Sequence, residues 1–303
     1  MKDGFKKVKG GVKKQNLFLW IVGILLLLYS FSLLFPMFWG VITSLKQNID
    51  FMTSPMSFPK LSWEFKNYLV AFEYIFVPVD IAGGQRNVQL LEMFGYSILY
   101  SVGCSFFATI TPCVVAYLVQ KYPYKLGKVL YSVVLVTMVI PIVGSLPSEF
   151  ALVQALGWSD SMIGMWLMKA NFLGSYFLIL YASWKAIPES YMEAAFVDGA
   201  SHWRVFFEIM LPMMKIQILV IFVLNFIVFW NDYQTPMLYM PNKPTAAYGL
   251  YYFSEGPGKN ANQTSTTPMK LAGAVVVTVP IIIVFSIFKD KLIGNLTMGG
   301  LKG

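Results

Sequence analysis

Lys169 and Asp232 are ionisable residues that stand inside long apolar runs. Charge in such surroundings is costly and usually faces a cavity, a partner or a proton path. A proton or ion relay needs several such groups, and two on different predicted helices are too few. Asp232 belongs to the run Trp230-Asn231-Asp232-Tyr233. Its amide and carboxylate are polar groups that could face a cavity between helices. Alternatively, Asp232 suits a structural hydrogen-bond centre between helices. Lys169 lies about 12 Å into its run at 1.5 Å per residue. It can snorkel outward, and no function is assigned to it.

Catalysis has little to work with. His202 is the sole histidine, and there is no HExxH, no Gly-x-Ser-x-Gly and no carboxylate cluster inside the apolar runs. Gly127-Lys128 is followed by Val129 and Gly258-Lys259 by Asn260, so neither completes a phosphate-binding loop. Cys104 and Cys113 share one apolar run and give neither metal spacing nor a disulfide framework. The chain is expected to be no enzyme, with no catalytic residues, metal or cofactor of its own.

The elements that must position these residues are membrane spans. The 303 residues are 57% hydrophobic and 13% charged, with a mean hydropathy of +0.62. A water-soluble domain carries about a quarter charged residues. Six apolar runs approach the roughly 20 residues that cross a bilayer. They lie between Lys14 and Lys46, then at 93–120, 129–147, 161–184, 216–240 and 271–288. Open strands would leave backbone groups unpaired in lipid, so the runs are read as helices and the fold as all-α. The first run is too long for a removed signal peptide and is expected to be retained. Of the 23 Lys and Arg, 15 fall on one side of this topology and seven on the other. The excess-positive side is expected to be cytoplasmic, with both termini there. The formal charge of +8 is thereby explained without nucleic acid.

The expected organisation is a basic N-terminus at 1–14, a first transmembrane helix at 15–45 and an extracytoplasmic loop at 46–92. A five-helix core follows at 93–290, with a tail at 291–303. The loop holds Pro55, Pro59, Pro78 and the turn pair Gly83-Gly84.

Residues 187–212 lie on the predicted cytoplasmic face and read as two short amphipathic helices. Pro188 suits a first helical position and Glu189 favours the positive end of the helix dipole. Gly199 suits the left-handed conformation that stops a helix. Ser201 can cap the next helix, and Pro212 breaks the chain before the fifth span. An alternative places this pair at the lipid interface with Trp203, Phe206 and Phe207 buried in it.

The spacing here carries a resemblance. Glu193-Ala194-Ala195, three residues, Gly199, nine residues, then Ile209-x-Leu211-Pro212 is similar to the permease signature of ATP-binding-cassette importers. The Trp230-Asn231-Asp232-Tyr233 run resembles a segment of carbohydrate-uptake permeases. This resemblance implies that Trp230, Asn231 and Asp232 could line a translocation pathway matched to sugar hydroxyls. Because the sugar in maltose-type systems sits mainly on the other permease subunit, it favours the structural role for Asp232. The tail Gly299-Gly300-Leu301-Lys302-Gly303 resembles the Gly-Gly-Val-Lys-Gly end of the maltose-type second permease subunit, with Leu for Val. The similarity spans about residues 15–303, and the segment 46–92 matches least.

The resemblance implies a type I importer permease fold with six transmembrane helices and a cytoplasmic coupling helix in a bacterial inner or plasma membrane. The chain would pair with a second homologous permease as a heterodimer. Two ATPase subunits, which bind ATP and Mg, would dock below, and an extracytoplasmic solute-binding protein would deliver a sugar. Glu193, Ala194, Ala195, Asp198, Gly199, Ala200, Ser201, Ile209, Leu211 and Pro212 would couple to the ATPase. Gly299–Gly303 would reach into the ATPase dimer. A non-sugar cargo and a stand-alone secondary transporter are the alternatives.

Overall fold

The computed structural model describes residues 6–122, 124–140, 144–257 and 265–298, with side chains over 17–122, 124–140, 144–257 and 265–291. The chain is mostly helical and divides into two compact units, residues 1–71 with 263–276 and residues 72–262 with 277–303.

In the first unit α1 (Lys6–Ser44) contains the apolar stretch Leu17–Ser44, which is long and apolar enough to cross a membrane. Its side chains from Leu17 to Phe38 are largely exposed, as suits a helix whose solvent is lipid. The chain then turns and becomes polar inside. Thr43, Ser44, Lys46 and Asp50 are all buried. Lys46 Nζ donates to the carbonyls of Ser54 (2.8 Å) and Pro55 (3.2 Å). Asp50, in α2 (Asn48–Thr53), accepts from the Lys60 amide at 2.8 Å. Asn67 Nδ2 donates to the carbonyls of Ser44 and Lys46. These bonds satisfy the backbone groups of a segment with little regular structure.

In the second unit β1 (Phe76–Ile81) and β2 (Gly84–Gln89) form an antiparallel hairpin in which Val77 faces Val88. Val77, Val79 and Val88 are buried. This hairpin corrects the all-α expectation: the fold is mostly helical with one two-stranded ribbon among the described residues. Gly83-Gly84 marks the turn, but the pairing of the valines depends on a face to pack against.

The spine of this unit is α4 (Leu90–Lys121), a long helix that buries Ser97, Ser101, Ser105, Thr109 and Ala116 along one side. Small and hydroxylated residues let neighbouring helices approach closely. At Gly103 an added Cβ would lie 2.1 Å from the Trp166 ring, whose Nε1 donates to the Leu99 carbonyl at 3.1 Å.

The predicted third and fourth spans are each interrupted. α5 (Lys125–Val139) covers the third run to Val139, and α6 (Leu146–Ala155) starts at the end of that run and lies mostly beyond it; α7 (Met162–Met168) and α8 (Ser175–Ala186) cover the fourth. Gly174, at φ +119°, opens α8 after the break. The fifth run is α11 (Lys215–Trp230) followed by α12 (Gln234–Tyr239), and α13 (Ala246–Ser254) comes next. α14 (Thr267–Met298) covers the sixth. Among the described residues, three helices are each long and apolar enough to cross a membrane, and a bent helix pair makes up to four. The other runs are broken, and irregular backbone at membrane depth survives where protein shields it.

Candidate functional site

Residues 187–214 form an elbow whose shape follows from local chemistry. α9 (Ser190–Val197) ends at Gly199, which has φ +79°. The Ala200 amide donates to the Ala195 carbonyl at 2.9 Å and the Gly199 amide to Phe196 at 3.0 Å. This pair is the Schellman arrangement, in which a left-handed glycine lets the chain reverse over the helix end. Ser201 Oγ accepts from the Arg204 amide at 3.3 Å and so caps α10 (His202–Met213). Within α10, Val205–Met210 widens into a π turn. Met214 ends the helix, and α11 leaves at 72°.

Two local expectations shift. Pro188 lies two residues before α9 rather than in its first turn, since the helix begins at Ser190. Pro212 sits inside the last turn of α10, and the break falls at Met214. Pro212 has no N–H to give the Glu208 carbonyl one turn back, so it perturbs the turn before it, where the helix widens.

The elbow has two faces. Met192, Ala195, Val205, Phe206, Met210 and Met214 point into a core with Cys113, Tyr117, Phe177 and Trp184. Glu193, Ala194, Asp198, Gly199, Ser201 and Pro212 are exposed, while Ala200, Ile209 and Leu211 are half-buried. The neighbouring alanines therefore separate: Ala195 brings the helix close to its own core, and Ala194 faces outward. Val197 is 87% exposed, Trp203 73% and Phe207 55%, whereas Phe206 is buried. Arg204 pairs with Glu208 one turn on at 2.9 Å, on the exposed side.

The end of α4 holds this elbow. Lys121 Nζ donates to the Ile187 carbonyl at 2.6 Å. Tyr122 Oη and His202 Nδ1 lie 2.9 Å apart. The Tyr117 ring lies 4.7 Å from Phe206 and 5.1 Å from Trp184 between centroids, and Trp184 Nε1 donates to the Cys113 carbonyl at 3.1 Å. Lys121, Tyr122, Tyr117 and Trp184 were missed by the sequence reading. Lys121 marked the end of an apolar run, and no local signal tied it to Ile187.

The same helix reaches a second node. Tyr100 Oη donates to Asp232 Oδ2 at 2.8 Å, and the Thr235 amide donates to Asp232 Oδ1 at 3.0 Å. Midway, Asn225 Nδ2 donates to Thr109 Oγ1 at 3.1 Å. Trp230 is buried, with Nε1 donating to the Val277 carbonyl at 3.0 Å and its ring stacked on Phe94 at 6.1 Å. Asn231 is exposed and its side-chain amide returns to the Ile227 carbonyl. The three residues of the candidate pathway segment thus point to different surroundings. α4 ties the elbow, the middle of α11 and the Asp232 turn into one mechanical unit. Gly299, Gly300, Leu301, Lys302 and Gly303 lie outside the described residues.

A family model described as "Binding-protein-dependent transport system inner membrane component" matches residues 108–294, which hold the C-terminal part of α4, the elbow and α11. The chain is 24% identical over 297 residues to the diacetylchitobiose uptake system permease protein NgcG of Streptomyces coelicolor, covering 97% of this chain and 92% of that protein. It is 28% identical over 304 residues to the maltose/maltodextrin transport system permease protein MalG of Escherichia coli, covering 96% and 98%. The probable starch degradation products transport system permease protein AmyC of Thermoanaerobacterium thermosulfurigenes is 27% identical, covering 96% and 98%. Among solved structures, a chain of a bacterial ABC transporter involved in the import of the acidic polysaccharide alginate superposes with a TM-score of 0.72 at 20% identity, covering 91% of this chain and 97% of that one. That likeness concerns the fold.

Proposed function

Because the chain belongs to the binding-protein-dependent transport system inner membrane component family, we propose that it is the membrane-spanning permease subunit of an ATP-driven importer of a sugar or oligosaccharide. The relatives named above are permease proteins of a diacetylchitobiose uptake system, a maltose/maltodextrin transport system and a probable starch degradation products transport system, and they align along nearly the whole chain. A second permease chain completes the channel, a solute-binding protein delivers the cargo outside, and two ATPase subunits supply the energy inside. ATP and Mg belong to those subunits.

The observation that carries this reading is the two-faced elbow. Its outer face exposes Glu193, Ala194 and Val197 around the Gly199 reversal, and its inner face is clamped to α4. Such a part transmits force: a partner seated on the outer face moves α4, and α4 moves the helices bonded to it. In this reading the elbow is the cytoplasmic coupling helix. Closure of the ATPase dimer favours one of two rigid-body arrangements, and the differential binding of nucleotide sets their populations. Glu193 pairs with a basic or helix-end group of the ATPase, Ala194 permits close approach, and Gly299–Gly303 contacts the ATPase dimer. The interrupted third and fourth runs complete six spans with both termini cytoplasmic.

Reconstitution of this chain with its partner permease, ATPase and binding protein in vesicles tests the proposal. Uptake that needs ATP and binding protein supports it. Uptake by the isolated chain without nucleotide overturns it. A single cysteine at Val197 should react with a membrane-impermeant maleimide only from the cytoplasmic side and be shielded by the ATPase.

A further inference from the structure

Beside the Asp232 node, the second unit contains a cavity of about 580 Å³ between α4, α6, the α7–α8 connection and α11. This lies in the range of small-molecule sites. Its polar wall is made by Glu149, Lys169, Asn171 and Asn225, and its aromatic wall includes Trp158 and Tyr176. The Asn171 side-chain oxygen accepts from the Leu173 amide at 2.8 Å, which holds the amide and leaves its NH₂ to donate. Asn225 is buried and oriented by its bond to Thr109. Lys169 Nζ rests 5.7 Å from the Phe229 ring centroid. Among the described residues, Glu149 and Lys169 join no ion pair. Both also line a second, adjoining cavity of about 230 Å³ whose wall includes Gln234 and Thr235. The two spaces share a charged boundary.

We propose that this cavity is a transit subsite for one or two rings of an uncharged sugar, carried by this chain itself. The inference rests on the sugar-importer reading and narrows it. Sugar hydroxyls both donate and accept, and the wall offers an acceptor-only carboxylate, a donor-only ammonium and amides that do either. Trp158 and Tyr176 supply apolar faces for the C–H side of a ring. One carboxylate and one ammonium leave the wall without net charge, which suits a neutral glycan better than a uronate. No group of three or more metal-ligating side chains occurs among the described residues, so the cavity is no cation site of ordinary type.

The test uses the assembled importer in vesicles and a panel of neutral di- to tetrasaccharides of glucose, N-acetylglucosamine and arabinose, with a diuronate as competitor. Asn171→Ala and Glu149→Gln alter exposed side chains, and Lys169→Met keeps the stem against Phe229. Each should weaken equilibrium binding of the transported sugar to the purified complex by about 5- to 10-fold, the value of one ordinary net hydrogen bond. Each should also slow uptake at subsaturating sugar. Wild-type binding and uptake in all three variants would overturn the subsite while leaving the sugar importer intact. Wild-type uptake of no panel sugar would instead overturn the parent reading. Tighter binding of the diuronate than of any neutral sugar would overturn the assignment of an uncharged ligand.

Discussion

The elbow at 187–214 and the segment at 43–68 are both connections built from short helices and turns, yet they are held by opposite means. The elbow is pinned by apolar burial: Ala195, Phe206 and Met210 enter a core with Tyr117 and Trp184, and polar bonds such as Lys121 to Ile187 trim its edge. The other segment is pinned by buried polar side chains that reach backbone carbonyls and amides, through Lys46, Asp50 and Asn67. An apolar clamp tolerates small slides and keeps an exposed face free to be gripped. A polar clamp has one good geometry and loses it as a unit. The elbow is therefore suited to move with a partner, and the other segment to keep a fixed shape.

The largest test of this contrast is Lys46→Met. It removes the donor to two carbonyls in a buried setting and should destabilise the segment by about 3 kcal/mol. Limited proteolysis between residues 54 and 66 should accelerate, with no change in labelling at the elbow. Gly199→Val comes next. Nothing lies within 4 Å of an added Cβ there, so the cost is backbone strain at φ +79°, roughly 1–2 kcal/mol. Coupled ATPase activity and co-purification of the ATPase should both fall, while the proteolysis pattern at 54–66 stays as in the wild type. Ser201→Ala removes the cap on Arg204 and should cost about 1 kcal/mol, read as a smaller drop in coupled activity.

Acid gives the mildest test. Hydrogen bonds from Ser62 and Gln47 hold the Glu64 carboxyl below its usual range. A lowered folded pKa stabilises above the ordinary carboxylate value and is lost as pH falls through the lowered value. Proteolysis of the 54–66 segment should thus rise modestly below the usual carboxylate pKa. Glu64→Gln keeps an acceptor but has no proton to gain, so its profile should be flatter. An unchanged profile would detach Glu64 from the clamp.

Much of the elbow was legible because its determinants are local. Gly199 can take the left-handed conformation that ends a helix, and Ser201 two residues on can cap the next one. The clamp was not legible: Lys121 and Ile187 are 66 residues apart, and Tyr122 and His202 are 80 apart. A buried Lys46 was also invisible, since a lysine bordering an apolar run normally signals water. The fourth run reads as one helix because hydropathy reports the surroundings of side chains, yet the helix stops at Met168 and restarts at Ser175 behind Gly174.

By itself, the sequence determined that long apolar segments must be helical, that the elbow must reverse at a glycine, and that no catalytic or nucleotide-binding constellation is spelled out along the chain. Those conclusions follow from backbone satisfaction in lipid, from φ/ψ limits and from residue inventory, none of which needs a partner across space. Tertiary structure alone decided that Ala195 turns inward while Ala194 turns out, that Asp232 answers to Tyr100, and that Glu149, Lys169 and Asn171 meet around one cavity. Each of these depends on helices distant in sequence being brought within a few ångströms, and a linear pattern carries no record of that distance.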